Sequence, residues 1–170
     1  MKTRLAPVVG KVQMAAFWNL PKSAQHWPCT KGSLTQKIKQ NVKQFSVQLI
    51  HQKKVYLKIA GTHKTECYWE RQVVLWGDGQ ALVEATTHIK AAYCRKYWPF
   101  YDSLGTKSLG SQLFVDPKIK KVRMKPTSSS QIKNHQLIQS NDVTRHSRFT
   151  RGQGQLDLFE TFLPAIYLLK

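Results

Sequence analysis

Two charged side chains fall where the pattern around them is apolar. The run Leu-Asp-Leu-Phe-Glu-Thr-Phe-Leu over 156–163 is the most hydrophobic stretch of the chain. Read as a strand, its residues alternate between two faces. One face carries Leu156, Leu158, Glu160 and Phe162. A carboxylate among such neighbours is costly to bury unless a cation, a proton or a function accompanies it. Arg71 repeats the pattern with the opposite sign, on a strand face shared with Trp69, Val73 and Leu75. Two readings fit. The pair is a buried structural salt bridge, or it marks the two ends of a site for a small carboxylate. Arginine grips carboxylates through a two-pronged fork, and a partly desolvated glutamate can act as base or acid.

The surrounding elements must position these groups. Ser33-Leu-Thr-Gln36 matches a capping box and predicts a helix towards Asn41. Alternation predicts a strand over 45–50 and a second over 68–76. The second runs into Gly77-Asp78-Gly79, a tight-turn signal, with a return strand over 81–87. The spacing of Leu109 and Leu113 predicts a short helix within 104–114. A further strand is expected over 119–124, and a polar loop over 126–142. The strands 145–151 and 155–163 form a final hairpin around Gly152-Gln-Gly154. Tight turns between strands imply one antiparallel sheet with few helices, an α+β domain.

A chain of 170 residues with 41% hydrophobic residues is long enough for a sizeable core, and a single domain over 1–170 is expected. The segment 1–25 carries the weakest pattern. No apolar run is long enough to span a bilayer and no leader is visible, so a cytoplasmic protein is expected. Cys29, Cys67 and Cys94 lack metal-ligand spacing and read as reduced thiols. The six histidines show no ligand spacing, and the two Gly-x-Gly turns read as hairpin turns, not phosphate cradles. The 27 Lys and Arg against 9 Asp and Glu give a net charge of +18. Such a field attracts nucleic acid, an anionic membrane surface or an anionic metabolite.

Three blocks together carry a resemblance. They are Tyr68-Trp-Glu-Arg71-Gln-Val-Val-Leu75 with Gly77-Asp-Gly79, then Leu104-Gly-Thr-Lys-Ser-Leu109-Gly110 with Leu113-Phe114, and Arg145-His-Ser-Arg148 through Leu158-Phe-Glu160-Thr-Phe-Leu-Pro-Ala165. In order and spacing they resemble bacterial chorismate lyase. The resemblance implies an antiparallel sheet with helices packed on it and flaps over an internal ligand cavity. It implies an enzyme that eliminates pyruvate from chorismate to give 4-hydroxybenzoate, opening ubiquinone biosynthesis, with no cofactor and no metal. Carried over by position, Arg71 matches the arginine that holds the ring carboxylate. Glu160 matches the glutamate near the ring hydroxyl, as base or as orienting group. Leu109 matches the leucine whose backbone N–H helps bind the ligand. Leu34 stands where a ligand-contacting methionine is common. Thr86 stands where relatives often carry an arginine, so another basic residue must serve if that arginine binds an anion.

The partners expected are therefore chorismate and 4-hydroxybenzoate, held by a monomer that makes at most peripheral contact with anionic membrane. Two alternatives have different signatures. A non-catalytic carboxylate-binding module of the same fold normally follows a DNA-binding domain; the resemblance extends more weakly back through Ser33-Leu34-Thr35 to about Trp27, which leaves about thirty residues before it, too few for one. A nucleic-acid binder would use the basic run Lys118–Lys125, but no nucleic-acid motif is present and none is expected to bind.

Overall fold

The computed structural model describes residues 19–22, 24–59, 62–127 and 142–169. Six antiparallel strands form one sheet: β1 (Phe45–Lys58), β2 (Thr65–Gly77), β3 (Gln80–Lys90), β4 (Lys120–Thr127), β5 (Val143–Arg151) and β6 (Gly154–Phe162). Their spatial order is β1-β2-β3-β6-β5-β4. Among the described residues, helices α1 (Leu34–Asn41), α2 (Ala91–Tyr97) and the four-residue α3 (Gly110–Leu113) accompany the sheet with two 3-10 turns, Tyr101–Ser103 and Pro164–Leu168. The α+β architecture expected from the alternation is present.

Local chemistry sets the boundaries. The Ser33 hydroxyl accepts the Gln36 N–H at 3.2 Å and starts α1. At the β2–β3 turn, Asp78 (φ 49°) and Gly79 (φ 78°) both have positive φ, as a two-residue hairpin turn of the primed type requires. The Asp78 carboxylate also accepts the Lys43 and Gln44 N–H groups at 3.0 and 2.8 Å, fixing the approach to β1.

Register then decides which side chains meet. Across β2, β3, β6 and β5 the inward rows are Trp69-Ile89-Leu156-Phe149, Arg71-Thr87-Leu158-Ser147, Val73-Ala85-Glu160-Arg145 and Leu75-Val83-Phe162-Val143. These rows pack against Leu34 and Ile38 of α1, against Trp27 and Trp98, and against Tyr101, Leu104 and Leu113. Arg71 and Glu160 therefore share one face, as the alternation predicts. The other face carries a polar network. His51 and His88 each bond the Glu70 carboxylate at 2.8 Å, and His146 and Arg148 share one Asp157 oxygen. Thr86 belongs to that face, in the row Gln72-Thr86-Phe159-His146. It cannot stand in for an anion-binding residue of the inward face, because a one-residue shift along a strand inverts the side.

Several expectations change. β1 and β2 run beyond the predicted strands as a two-stranded extension, paired from Tyr56 and Cys67 to Lys58 and Thr65. Helix α2 carries no clear apolar periodicity and was not anticipated. The helix expected over 104–114 is reduced to α3, because Gly105 turns the chain at φ 52°. The predicted loop over 126–142 begins later, since β4 continues to Thr127. Pro126 is tolerated there because β4 is an edge strand. The remainder, 128–141, lies outside the described residues, as do 1–18 of the segment expected to be weakest. Among the described residues no helix is long and apolar enough to cross a membrane. The three cysteines are free thiols, Cys94 buried and Cys29 exposed.

The β5–β6 hairpin is clamped against α2. A Cβ on Gly154 would lie 2.4 Å from Tyr97 Cβ and 2.9 Å from the indole nitrogen of Trp98, which is fully buried. Gly154→Ala is expected to destabilise the protein by roughly 1–3 kcal/mol through overpacking, read as a lower urea midpoint with an unchanged slope.

Candidate active site

Arg71 is 2% exposed. Its Nη1 and Nη2 donate to the Gly105 and Lys107 carbonyls, each at 3.0 Å. The positive-φ turn at Gly105 helps present these carbonyls. Among the described residues no carboxylate pairs with Arg71. Of the two readings left open by the sequence, the Arg71–Glu160 salt bridge is absent among the described residues, and Glu160 pairs with a nearer cation. Arg145 Nε donates to Glu160 Oε2 at 2.6 Å, with side-chain exposures of 4% and 8%. Arg145 Nη1 donates to the Pro28 carbonyl at 3.0 Å and to the Thr30 carbonyl at 2.9 Å. Its guanidinium lies 5.4 Å from the Phe162 ring centroid. The ion pair thus pins segment 28–30 to the sheet.

One cavity of about 40 Å³ joins these groups. Arg71, Glu160, Leu34 and Leu109, the four residues singled out from the sequence, all line it. Val73, Leu75, Ala85 and Leu158 form its apolar floor on the sheet. Gly32 to Thr35 and Ser108 to Phe114 supply the cover. Leu34 opens α1 at 4% exposure, and Leu109 is the residue before α3. The Leu109 N–H makes no backbone hydrogen bond among the described residues. The volume holds a few waters, so a ring-sized ligand requires the cover to give.

Three further lining residues were not singled out. Arg145 carries the Glu160 ion pair. Ser147 is 1% exposed, and its hydroxyl has no partner among the described residues. Lys121 Nζ donates to the Lys31 carbonyl at 2.6 Å and sits 5.2 and 5.6 Å from the Phe114 and Phe149 ring centroids. Burial lowers the Lys121 pKa, Arg145 lowers it further, and Glu160 opposes both. Burial also lowers that of Arg71 and raises that of Tyr101 nearby. A signal for Arg145 was legible. Counting outward from the Gly152 turn places it directly opposite Glu160.

The cavity has a buried, unmatched guanidinium at one end and a cation-oriented carboxylate at the other, with apolar walls between. Chemically, a guanidinium of this kind can grip a carboxylate, and the carboxylate at the other end can accept a hydrogen bond. Among the described residues no group of three His, Cys, Asp or Glu could hold a metal ion.

Fold and cavity together define an α+β protein in which one antiparallel sheet floors a small enclosed cavity. Comparison makes this specific. The family model for chorismate lyase matches residues 12–169, and the chain belongs to that family. A probable chorismate pyruvate-lyase of Cupriavidus pinatubonensis is 29% identical over 163 residues, covering 85% of this chain and 82% of the relative. That of Cupriavidus metallidurans is 28% identical over 162 residues, covering 86% and 75%. Among solved structures, the effector domain of PhnF from Mycobacterium smegmatis aligns with a TM-score of 0.47 and 12% identity, covering 79% of this chain and 90% of that one. That likeness is too slight to bear on the site.

Removing one partner of a buried ion pair leaves an uncompensated charge. Arg145→Met is expected to cost about 3–5 kcal/mol by chemical denaturation. The double variant Arg145→Met, Glu160→Leu should recover much of that loss. Equal stability of the single and double variants would contradict the coupling.

Proposed function

We propose that the chain is a chorismate lyase, cleaving chorismate to 4-hydroxybenzoate and pyruvate and so supplying the aromatic acid for ubiquinone biosynthesis. The observation that carries this reading is the buried Arg71, with no carboxylate partner among the described residues, facing the same cavity as the Arg145-oriented Glu160. Arg71 and Glu160 are two strands apart, about 10 Å across the sheet. Their side chains reach inward, and one six-membered ring fits between them once the cover of Leu34 and Leu109 gives way.

Arg71 holds the ring carboxylate, joined by the Leu109 N–H. Arg145 occupies one oxygen of Glu160, and the other accepts the ring hydroxyl. Leu34 and the apolar floor press on the ring. In the reaction the bond from ring carbon to ether oxygen breaks, and the carbon bearing the hydroxyl loses its proton. The departing enolate takes up one proton at its methylene carbon to become pyruvate. Protons therefore balance without a net acid or base, and aromatisation supplies the driving force. The protein contributes conformation, exclusion of water and stabilisation of developing charge. Glu160 is the positioned acceptor for the ring proton, which it passes on to the enolate.

Purified protein incubated with chorismate should release 4-hydroxybenzoate, seen by its ultraviolet absorbance, without added metal. A folded sample that binds 4-hydroxybenzoate but never produces it would instead be a carboxylate-binding module. Glu160→Gln keeps shape and hydrogen bonding but removes the acceptor, and should lower turnover by roughly 10²–10⁴-fold. Near-normal turnover in that variant would reduce Glu160 to an orienting group.

A further inference from the structure

Chorismate has two carboxylates, and Arg71 accounts for one. The second lies on the leaving side chain, attached to the ring carbon beside the one bearing the hydroxyl. If Arg71 holds the ring carboxylate and Glu160 the hydroxyl, that side chain must sit at the Glu160 end, away from Arg71. In sheet order Arg71 is on β2, Glu160 two strands on at β6, and β4 two strands further. The cation that β4 contributes to the cavity is Lys121.

We infer that Lys121 is the second anion anchor: it binds the side-chain carboxylate of the dianionic substrate and makes the cavity discriminate substrate from product. This rests on the reading proposed above. An ammonium group has three donors, and among the described residues Lys121 uses one, on the Lys31 carbonyl. Its ammonium lies over the rings of Phe114 and Phe149, both of which line the cavity. Arg145 is the alternative cation, but it is committed to Glu160 and to the Pro28 and Thr30 carbonyls. Thr86, where relatives often carry an arginine, lies in a row of the opposite face. The Ser147 hydroxyl, buried and without a partner among the described residues, adds a neutral donor on β5, the strand between Glu160 and Lys121. As the ether bond breaks, charge grows on the departing enolate, and Lys121 is placed to stabilise it. The aromatic product has lost this carboxylate and keeps only its hold on Arg71 and Glu160.

The test is a comparison of two ligands. Lys121→Gln can keep the hydrogen bond to the Lys31 carbonyl while losing the charge, and Lys121→Arg restores the charge. Matching circular dichroism and melting midpoints establish that each variant is folded. We expect Lys121→Gln to lower kcat/KM for chorismate at least about tenfold. Its Kd for 4-hydroxybenzoate should stay within about twofold of wild type, and Lys121→Arg should recover most of the activity. Equal weakening of both ligands would mean that Lys121 only packs the wall, and unchanged kcat/KM would remove it from the site. Either result overturns the inference while the wild-type enzyme still turns over. A wild type that makes no product sinks the parent reading instead, and this one with it.

Discussion

The structure around the cavity depends on one buried ion pair. Glu160 lies in the middle of a central strand whose other inward side chains are apolar, so its charge must be matched inside the protein. Arg145 matches it from the neighbouring strand, directly across the ladder. The same guanidinium holds two carbonyls of segment 28–30. That segment leads into Gly32 and Leu34, part of the cavity cover. A single arginine therefore ties the sheet floor, the carboxylate and the cover together. Buried pairs of this kind contribute little net stability over apolar replacements, but they are costly to break from one side.

The two ends of the cavity are built on opposite principles. Glu160 is neutralised by its own cation and presents a directed acceptor. Among the described residues Arg71 donates to two backbone carbonyls and pairs with no carboxylate, which in the proposed reading leaves its charge available to an incoming anion. A buried guanidinium satisfied in this way is preorganised: binding a carboxylate exchanges little water and requires no ion pair to be broken first. Had Arg71 and Glu160 paired with each other, as the sequence pattern allowed, the cavity would have been filled and its charges cancelled. The insertion of Arg145 opposite Glu160 keeps the ends apart.

Much of this was legible in the sequence, for stated reasons. Strand alternation placed Arg71 and Glu160 on inward faces, since a period of two leaves no freedom once neighbours are apolar. The Asp78-Gly79 turn and the Ser33 cap carry local chemistry that tertiary context did not override. Other features were not local. The Arg71 partners are carbonyls of a turn more than thirty residues away. Lys121 belongs to a lysine-rich strand whose charge reads as solvent-facing, and its inward side follows from pairing with Phe149 and from its contacts with Phe114 and the Lys31 carbonyl. The short helix expected within 104–114 is present only as α3, because Gly105 turns the chain before it. Helix α2 offered no apolar stripe, since Cys94 is its only buried residue.

The central claim is that one ring spans the cavity from Arg71 to Glu160. A crystal structure of the protein grown with 4-hydroxybenzoate tests it most directly. The account predicts the ligand enclosed beneath Leu34 and Leu109, its carboxylate within hydrogen-bond distance of the Arg71 guanidinium and its hydroxyl on Glu160. A ligand bound outside this cavity, or bound with its carboxylate at the Lys121 end and its hydroxyl towards Arg71, would contradict it.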